Sequence, residues 1–264
     1  MGNPMYRQIA EDLRAQIGSG ALQPGQQLRT ELELREHYGA SRNTVRDAIK
    51  WLTNLGLVET KPGQGTFVVH KIDPFVTTLS GDPDSGMAGD EGASYLSTVS
   101  EQNRKPTFSP LQVEIQEEPS IAVALGIAKD AEIISRHERR FIDGTPWSMQ
   151  TSYYPMEFAD RGAERLRRAR NIEEGTVQYL LDTLHIRQVG YRDVITVRAP
   201  NPTEADFFRL PSDGRIPIYE IARTAYDGNG QPMRLTVTVY PADRNQFIVN
   251  VGQVPNSTSP ADRV

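Results

Sequence analysis

The chain has 264 residues, 38% hydrophobic and 24% charged, with a net charge of −5, which allows one large core or two modest ones and leans towards two. It contains no cysteine, and its four histidines (His37, His70, His137, His185) form no H-x-x-x-H pair, which excludes disulfides and thiol chemistry and argues against zinc. No apolar run reaches bilayer length, and the opening MGNPMYRQIAED matches neither a secretory signal nor a myristoylation site, so the expectation is a cytoplasmic protein with no membrane, metal or cofactor.

Tyr6, Ile9, Ala10, Leu13 and Ile17 recur at helical spacing and predict a first amphipathic helix, closed by Gly18-Ser19-Gly20. Pro24-Gly25 marks a turn. Thr30 followed by Glu33 predicts a capping box, opening a short helix with Leu34 and Tyr38 inward and Gly39 as its stop. Ser41 caps a third helix almost at once, and so short a break suits the sharp turn of a helix-turn-helix. On that third helix Val45, Ala48, Ile49 and Leu52 line one face, whereas Arg42, Asn43, Arg46 and Lys50 lie on another. Arg42 and Asn43 fall in the first turn, where a recognition helix reaches base edges; Arg can bond guanine and Asn adenine in bidentate fashion. Taken alone, the same face also fits plain solvation. Gly56 ends the helix, and two short strands, 57–60 and 66–69, flank Lys61-Pro62-Gly63-Gln64-Gly65. A Gly-x-Gly turn has no side chains to keep its backbone from a phosphate or groove. Residues 1–75 hold nine Lys/Arg against eight Asp/Glu, a net of +1 in an acidic chain, and such asymmetry hints at divided labour.

Residues 4–69 resemble the N-terminal winged helix-turn-helix of the GntR family of bacterial transcription regulators, through MYRQIAEDLRAQI, LQPGQQL, TELEL, ASRNTVRDAIKWLTNLGLVET and PGQGTFV. The resemblance implies a homodimer reading an inverted-repeat operator in double-stranded DNA. Ser41, Arg42, Asn43, Thr44, Arg46 and Lys50 of the recognition helix would lie at the DNA, with Lys61, Gly63, Gln64, Gly65 and Thr66 of the wing. The family usually carries Ser-Glu-Arg-Asp/Glu-Leu at the second helix, with its arginine on DNA; here Thr30-Glu31-Leu32-Glu33-Leu34 lacks it, which leaves Arg29, Thr30 or Arg35 as substitutes.

The stretch DPDSGMAGDEG (82–92) reads as an acidic flexible linker. Beyond it the pattern predicts strands at 111–115, 132–142, 147–154, 189–198, 217–226 and 232–240, with helices at 120–125, 157–169, 176–185 and 203–210. Segregated helices and hairpin-linked strands give an α+β fold on an antiparallel sheet. On the final strand Arg234, Thr236, Thr238 and Tyr240 alternate with Met233, Leu235, Val237 and Val239, which separates polar and apolar faces.

This half resembles the UTRA effector-binding domain of the HutC-like branch, a chorismate-lyase-like fold, through RRFIDGTPWSMQTSYYP, EEGTVQYLLDTL, TEADFFRL and YDGNGQPMRLTVTVY. The expected layout is a DNA-binding domain at 1–75, a linker at 76–93, a UTRA effector and dimerisation domain at 94–252 and a disordered tail at 253–264. The resemblance implies a small-molecule effector held by Ser94, Glu138, Arg140, Thr176, Gln178, Arg234 and Tyr240. Glu138 stands where sugar-phosphate binders have an arginine and Arg234 where they often have a glutamate, so the ligand is expected to be something other than an amino-sugar phosphate, with an anionic group near Arg140, Thr176 or Arg234. Pairing of Glu138 with Arg234 is the structural alternative. Tyr153 and Tyr154 read as core or dimer contacts. The leading function is an effector-controlled repressor with no catalytic residues; a lyase-like enzyme and an effector-independent repressor are the alternatives.

Overall fold

The computed structural model describes residues 4–69, 75–79, 99–100, 102–211, 214 and 216–249. The chain divides into two compact units, residues 1–73 and 74–264.

The first unit holds α1 (Met5–Gly18), α2 (Glu31–Tyr38), α3 (Arg42–Asn54), β1 (Val58–Lys61) and β2 (Gly65–Val68). Ile9, Ala10 and Leu13 of α1 pack with Leu34 of α2 and with Val45, Ala48, Ile49 and Leu52 of α3, each large aliphatic side chain contributing about 1.5–3 kcal/mol on burial. The capping box forms: the Thr30 hydroxyl accepts the Glu33 N–H at 3.3 Å while the Glu33 carboxylate accepts the Thr30 N–H at 2.7 Å, and that N–H together with the Thr30 hydroxyl, which donates at 2.8 Å, holds the Glu33 carboxylate below its usual range. Gly39 closes α2 in the left-handed region, and the Ser41 hydroxyl accepts the Thr44 N–H at 3.1 Å to open α3. Residues 25–28 lie along the β1–β2 hairpin, with the Leu28 N–H donating to Thr66 at 2.7 Å and the Val68 N–H to Gln26 at 2.8 Å. That added edge has no alternating pattern and escapes sequence reading.

The second unit runs β3 (Phe75–Thr78), β4 (Pro106–Phe108), β5 (Gln112–Glu117), α4 (Pro119–Ala124), β6 (Glu132–Ile142), β7 (Thr145–Pro155), α5 (Met156–Asp160), a 3-10 turn (Glu164–Arg167), α6 (Thr176–Leu184), β8 (Gln188–Arg198), α7 (Pro202–Phe208), β9 (Ile218–Asp227), β10 (Pro232–Pro241) and β11 (Asn245–Ile248). Seven strands form one antiparallel sheet in the order β4-β6-β7-β10-β9-β8, with β5 also alongside β6. β3 pairs in parallel with β11, so the first positions expected of the linker are strand. The acidic stretch 82–92 and the tail from 253 lie outside the described residues.

The single helix expected at 157–169 is instead α5 and the 3-10 turn, because Gly162 between them adopts a φ of +121°, which no helix continues through. These elements and α6 cover one end of one sheet face, burying Ile134, Tyr154 and Ala225 with Phe158, Leu166 and Leu180. On other cores, α4 packs Ala122 with Ile133 and Leu235, and Phe208 of α7 packs with Val239. Tyr154 is therefore core, and Tyr153 packs beside Ile133. β10 is buried on both faces: Arg234, Thr236 and Thr238 are as inaccessible as Met233 and Leu235.

Candidate functional site

Arg42, Asn43, Arg46 and Lys50 are exposed along the outer side of α3. Asn43, Arg46 and Lys50 share a cleft of about 470 Å³ with Glu31 of α2 and with Thr60 and Thr66 of the hairpin. Helix α3 and the wing thus wall one groove, its floor secured by the Thr60–Thr66 hydroxyl pair at 3.1 Å. At the hairpin tip Gly63 and Gly65 take φ values of +71° and +119°, a conformation that costs other residues strain. The Gln27 amide donates to the Gln64 carbonyl at 2.8 Å and leaves no room for a Cβ on Gly65, which fixes the wing from behind. Lys61 pairs with Glu59 at 3.0 Å and lies 5.2 Å over the Phe67 ring.

Sequence reasoning missed Glu31. Its carboxylate accepts from Arg42 Nε at 3.2 Å and faces Arg46 Nε at 3.6 Å, so one acid holds two recognition-helix arginines together. An acid in the first turn of α2 is already explained by the helix dipole, which concealed this second role. Thr30, Ser41 and Thr44 spend their hydroxyls on helix caps. Arg29 and Arg35 are exposed and stand outside the cleft lining.

In the second unit, strand register sorts the expected effector residues. Paired residues share a face, so Arg136, Ser152, Thr236, Arg223 and Asp193 form one row across the sheet. Glu138, Gln150 and Thr238 form the next, and Arg140 and Ser148 follow. Arg234 lies on this same face, two residues before Thr236. The floor is a polar chain: Ser152 to Thr236 at 3.2 Å, Thr238 to Gln150 at 3.4 Å and Gln150 to Ser152 at 3.5 Å. Ser148 is fully buried, and its hydroxyl has no partner among the described residues.

Three arginines on this face have counterparts. The Arg136 guanidinium donates to the carbonyls of Arg165, Leu166, Arg168 and Arg170 at 2.7–3.3 Å, fastening the 3-10 turn to the sheet; burial pulls its pKa below the usual guanidinium range. Arg223 grips Asp193 with two bonds of 2.7 Å and lies 3.8 Å over Tyr191. Arg140 holds Glu138 at 2.7–2.8 Å. Glu138 thus has its partner on its own strand, while Arg234 donates to Gln188 at 3.4 Å, and the alternative pairing of Glu138 with Arg234 gives way to this one.

Thr176 opens α6 behind Gly175, whose φ is +82°, and no side chain caps that start. Its N–H groups and dipole favour an anion. Gln178 is exposed and bonds Asp182 at 2.7 Å, so it is engaged along its own helix. Tyr240 is half-buried against Phe247, their ring centroids 5.0 Å apart. Ser94 lies outside the described residues. Among the described residues no three acids or histidines gather as a metal site, and no helix is long and apolar enough to cross a membrane.

Comparison with known proteins adds sequence-wide likeness to this geometry. Residues 5–68 match the model for bacterial regulatory proteins of the gntR family, and residues 101–246 match the UTRA domain. The HTH-type transcriptional repressor NagR of Bacillus subtilis is 27% identical over 247 residues, 93% of each chain. The probable fructoselysine utilization operon transcriptional repressor of Shigella flexneri is 26% identical over 91% of each. The crystal structure of PhnF from Mycobacterium smegmatis shares the fold, with a TM-score of 0.55 at 18% identity, covering 92% of this chain and 99% of its own.

Proposed function

From the premise that this chain belongs to the gntR family of bacterial regulatory proteins and carries its UTRA domain, we propose that it is a transcriptional repressor whose hold on an operator is governed by a small molecule in the second unit. The observation that carries the reading is the cleft between α3 and the wing, where Asn43, Arg46 and Lys50 face Thr60 and Thr66. A cleft in which Asn43, Arg46, Lys50 and three threonines stand beside two acids, Glu31 and Asp47, on a helix whose first turn presents Arg42 and Asn43, suits a major groove met by a recognition helix, with the glycine hairpin against the backbone. Two such heads about 34 Å apart occupy successive major grooves, so the repressor acts as a homodimer on an inverted repeat, and the effector shifts the balance between head spacings.

The ligand is recognised on the sheet face that carries Glu138, Arg140, Thr238 and Arg234. Because Glu138 already compensates Arg140, the face suits a ligand other than an amino-sugar phosphate, with a limited anionic group directed at the start of α6. The relatives are named as transcriptional regulators, in keeping with a binding protein rather than a catalyst.

Selection of duplexes from a random DNA pool by the purified protein tests the first claim. Enrichment of an inverted repeat supports it; a pool unchanged after several rounds, with and without a metabolite mixture, overturns it. Calorimetric titration with glucosamine 6-phosphate and with inorganic phosphate tests the second, and tight binding of the sugar phosphate would reject the ligand reading.

A further inference from the structure

The cleft between α3 and the wing holds one side chain that attraction to phosphate does not explain. Asp47 lines it beside Asn43, Arg46 and Lys50. Val45, Ala48, Ile49 and Leu52 take the inner side of α3, which leaves Asp47 exposed on the outer side, one turn beyond Asn43. The other acid of the cleft, Glu31, is engaged with Arg42 and Arg46 at 3.2 and 3.6 Å. Asp47 enters no ion pair or side-chain hydrogen bond among the described residues, although Arg46 and Lys50 line the same cleft. A carboxylate placed there repels any phosphate that approaches, so it lowers affinity for DNA of every sequence. The repulsion is offset only where the carboxylate meets a donor, and that condition separates one sequence from another.

We propose that Asp47 is a specificity-determining residue that reads a cytosine in the major groove, its carboxylate accepting a hydrogen bond from the N4 amine. Two bases offer a donor to that groove, cytosine through N4 and adenine through N6. On adenine the N6 donor sits beside the N7 acceptor, which would face the second carboxylate oxygen; an amide matches that edge and an acid does not. Guanine presents two acceptors and thymine an acceptor beside a methyl group, so neither satisfies a carboxylate. Cytosine is left. Four residues of an α-helix rise about 6 Å, more than the roughly 3.4 Å between base pairs, so Asp47 meets a different base pair from Asn43. The outer side of α3 then carries three chemistries: the Asn43 amide suits adenine, the Arg46 guanidinium suits guanine and the Asp47 carboxylate suits cytosine. This inference rests on the operator reading stated above and adds the residue that penalises a wrong base.

Full-length wild type, Asp47→Asn and Asp47→Ala, each selecting duplexes from a random pool, provide the test. Wild type is expected to enrich a cytosine at one position of each half-site. Asp47→Asn should change that position to adenine and Asp47→Ala should accept any base there, with the other positions unaltered. In fluorescence anisotropy, exchanging that C·G pair for T·A should weaken wild type on the order of 5- to 150-fold and leave Asp47→Ala indifferent. Random duplex should bind Asp47→Ala at least as tightly as wild type, which a merely structural role for the acid would not give. One motif shared by all three proteins, or a responding position that is not cytosine in wild type, overturns the cytosine reading and leaves the operator reading standing. A pool that none of the three changes, with and without a metabolite mixture, overturns both. If one variant fails to fold by circular dichroism, the other decides alone.

Discussion

Replacing Glu31 with Gln removes the acid that Arg42 and Arg46 share and keeps the size of its side chain. At the observed 3.2 and 3.6 Å, Coulomb attraction in water comes to about 1.3 and 1.2 kcal/mol. All three groups are well exposed, with the arginine side chains 68% and 62% accessible, and pairs of this kind are worth about 0.2–1 kcal/mol each once entropy and screening are counted. A phosphate docking on either arginine competes with Glu31 for its charge, so the acid opposes non-specific binding by up to about 0.4–2 kcal/mol in all. At about 1.4 kcal/mol per decade, Glu31→Gln should bind a random-sequence duplex roughly 2- to 30-fold more tightly at low salt. The gain should fade as salt screens the pairs, and losing the same pairs from the folded state should lower the melting temperature of the first unit by a few degrees, on the order of 4–8 °C per kcal/mol. Fluorescence anisotropy against labelled duplexes across a salt series measures this. Weaker binding of Glu31→Gln to random DNA at low salt would refute the reasoning, because it would mean that Glu31 itself holds DNA or orients the arginines for it.

Arg46→Ala should cost about 1–3 kcal/mol of operator affinity, concentrated at one base position if the arginine reads a base and accompanied by a shallower salt slope if it holds phosphate; unchanged binding would remove Arg46 from the interface. Tyr38 donates to Asp12 at 2.5 Å, and burial followed by that carboxylate pushes its pKa up to about 12. A phenol whose folded pKa lies above its unfolded value near 10 supplies stability that is complete below pH 10 and lost as pH rises towards 12. Urea titrations of Tyr38→Phe should therefore show a shallower loss over pH 10–12 than wild type, and parallel curves would contradict this. Arg136→Met strands the Leu166 and Arg170 carbonyls, whereas those of Arg165 and Arg168 keep backbone donors; at about 1–3 kcal/mol for each group left buried without a partner, the second unit should lose about 2–6 kcal/mol, and an unchanged urea midpoint would show that water replaces the arginine.

The first unit is legible because its signals are local. The Thr30/Glu33 box, the Ser41 cap and the stripe Val45, Ala48, Ile49 and Leu52 each act within one helix, and all stand in the structure as the spacing implies. Glu31 escaped because its arginines lie across the helix turn, where sequence distance conveys nothing. In the second unit β6 appears at the expected bounds and β8 and β10 within one residue of theirs, since long alternating strands declare themselves. The short strands β3, β4 and β11 do not, because three or four residues show no period and a parallel pair such as β3–β11 joins segments far apart. The buried state of Arg136 was equally hidden. Position on a strand gives the face an arginine takes, but only folding shows that four carbonyls of one loop wait there.

One device, an acid beside an arginine, occurs in both candidate sites with opposite consequences. At Glu31 the pair is exposed, so a DNA phosphate can replace the carboxylate at little cost and the arginines remain available. At Glu138 the pair is sunk in the sheet face, with side chains only 14% and 3% accessible. Separating a buried pair leaves an uncompensated charge and costs about 3–5 kcal/mol, a large part of what a small ligand gains on binding. A ligand bound on this face as proposed would therefore have to accept Glu138–Arg140 as a neutral unit and meet the hydroxyls and amide of two adjacent rows, Gln150 with Thr238 and Ser152 with Thr236. Specificity on such a face rests on matching hydrogen bonds, because any donor or acceptor left unmatched there is desolvated for nothing. That logic favours a hydroxyl-rich ligand of low charge over a phosphate dianion, and it follows from a single acid at position 138.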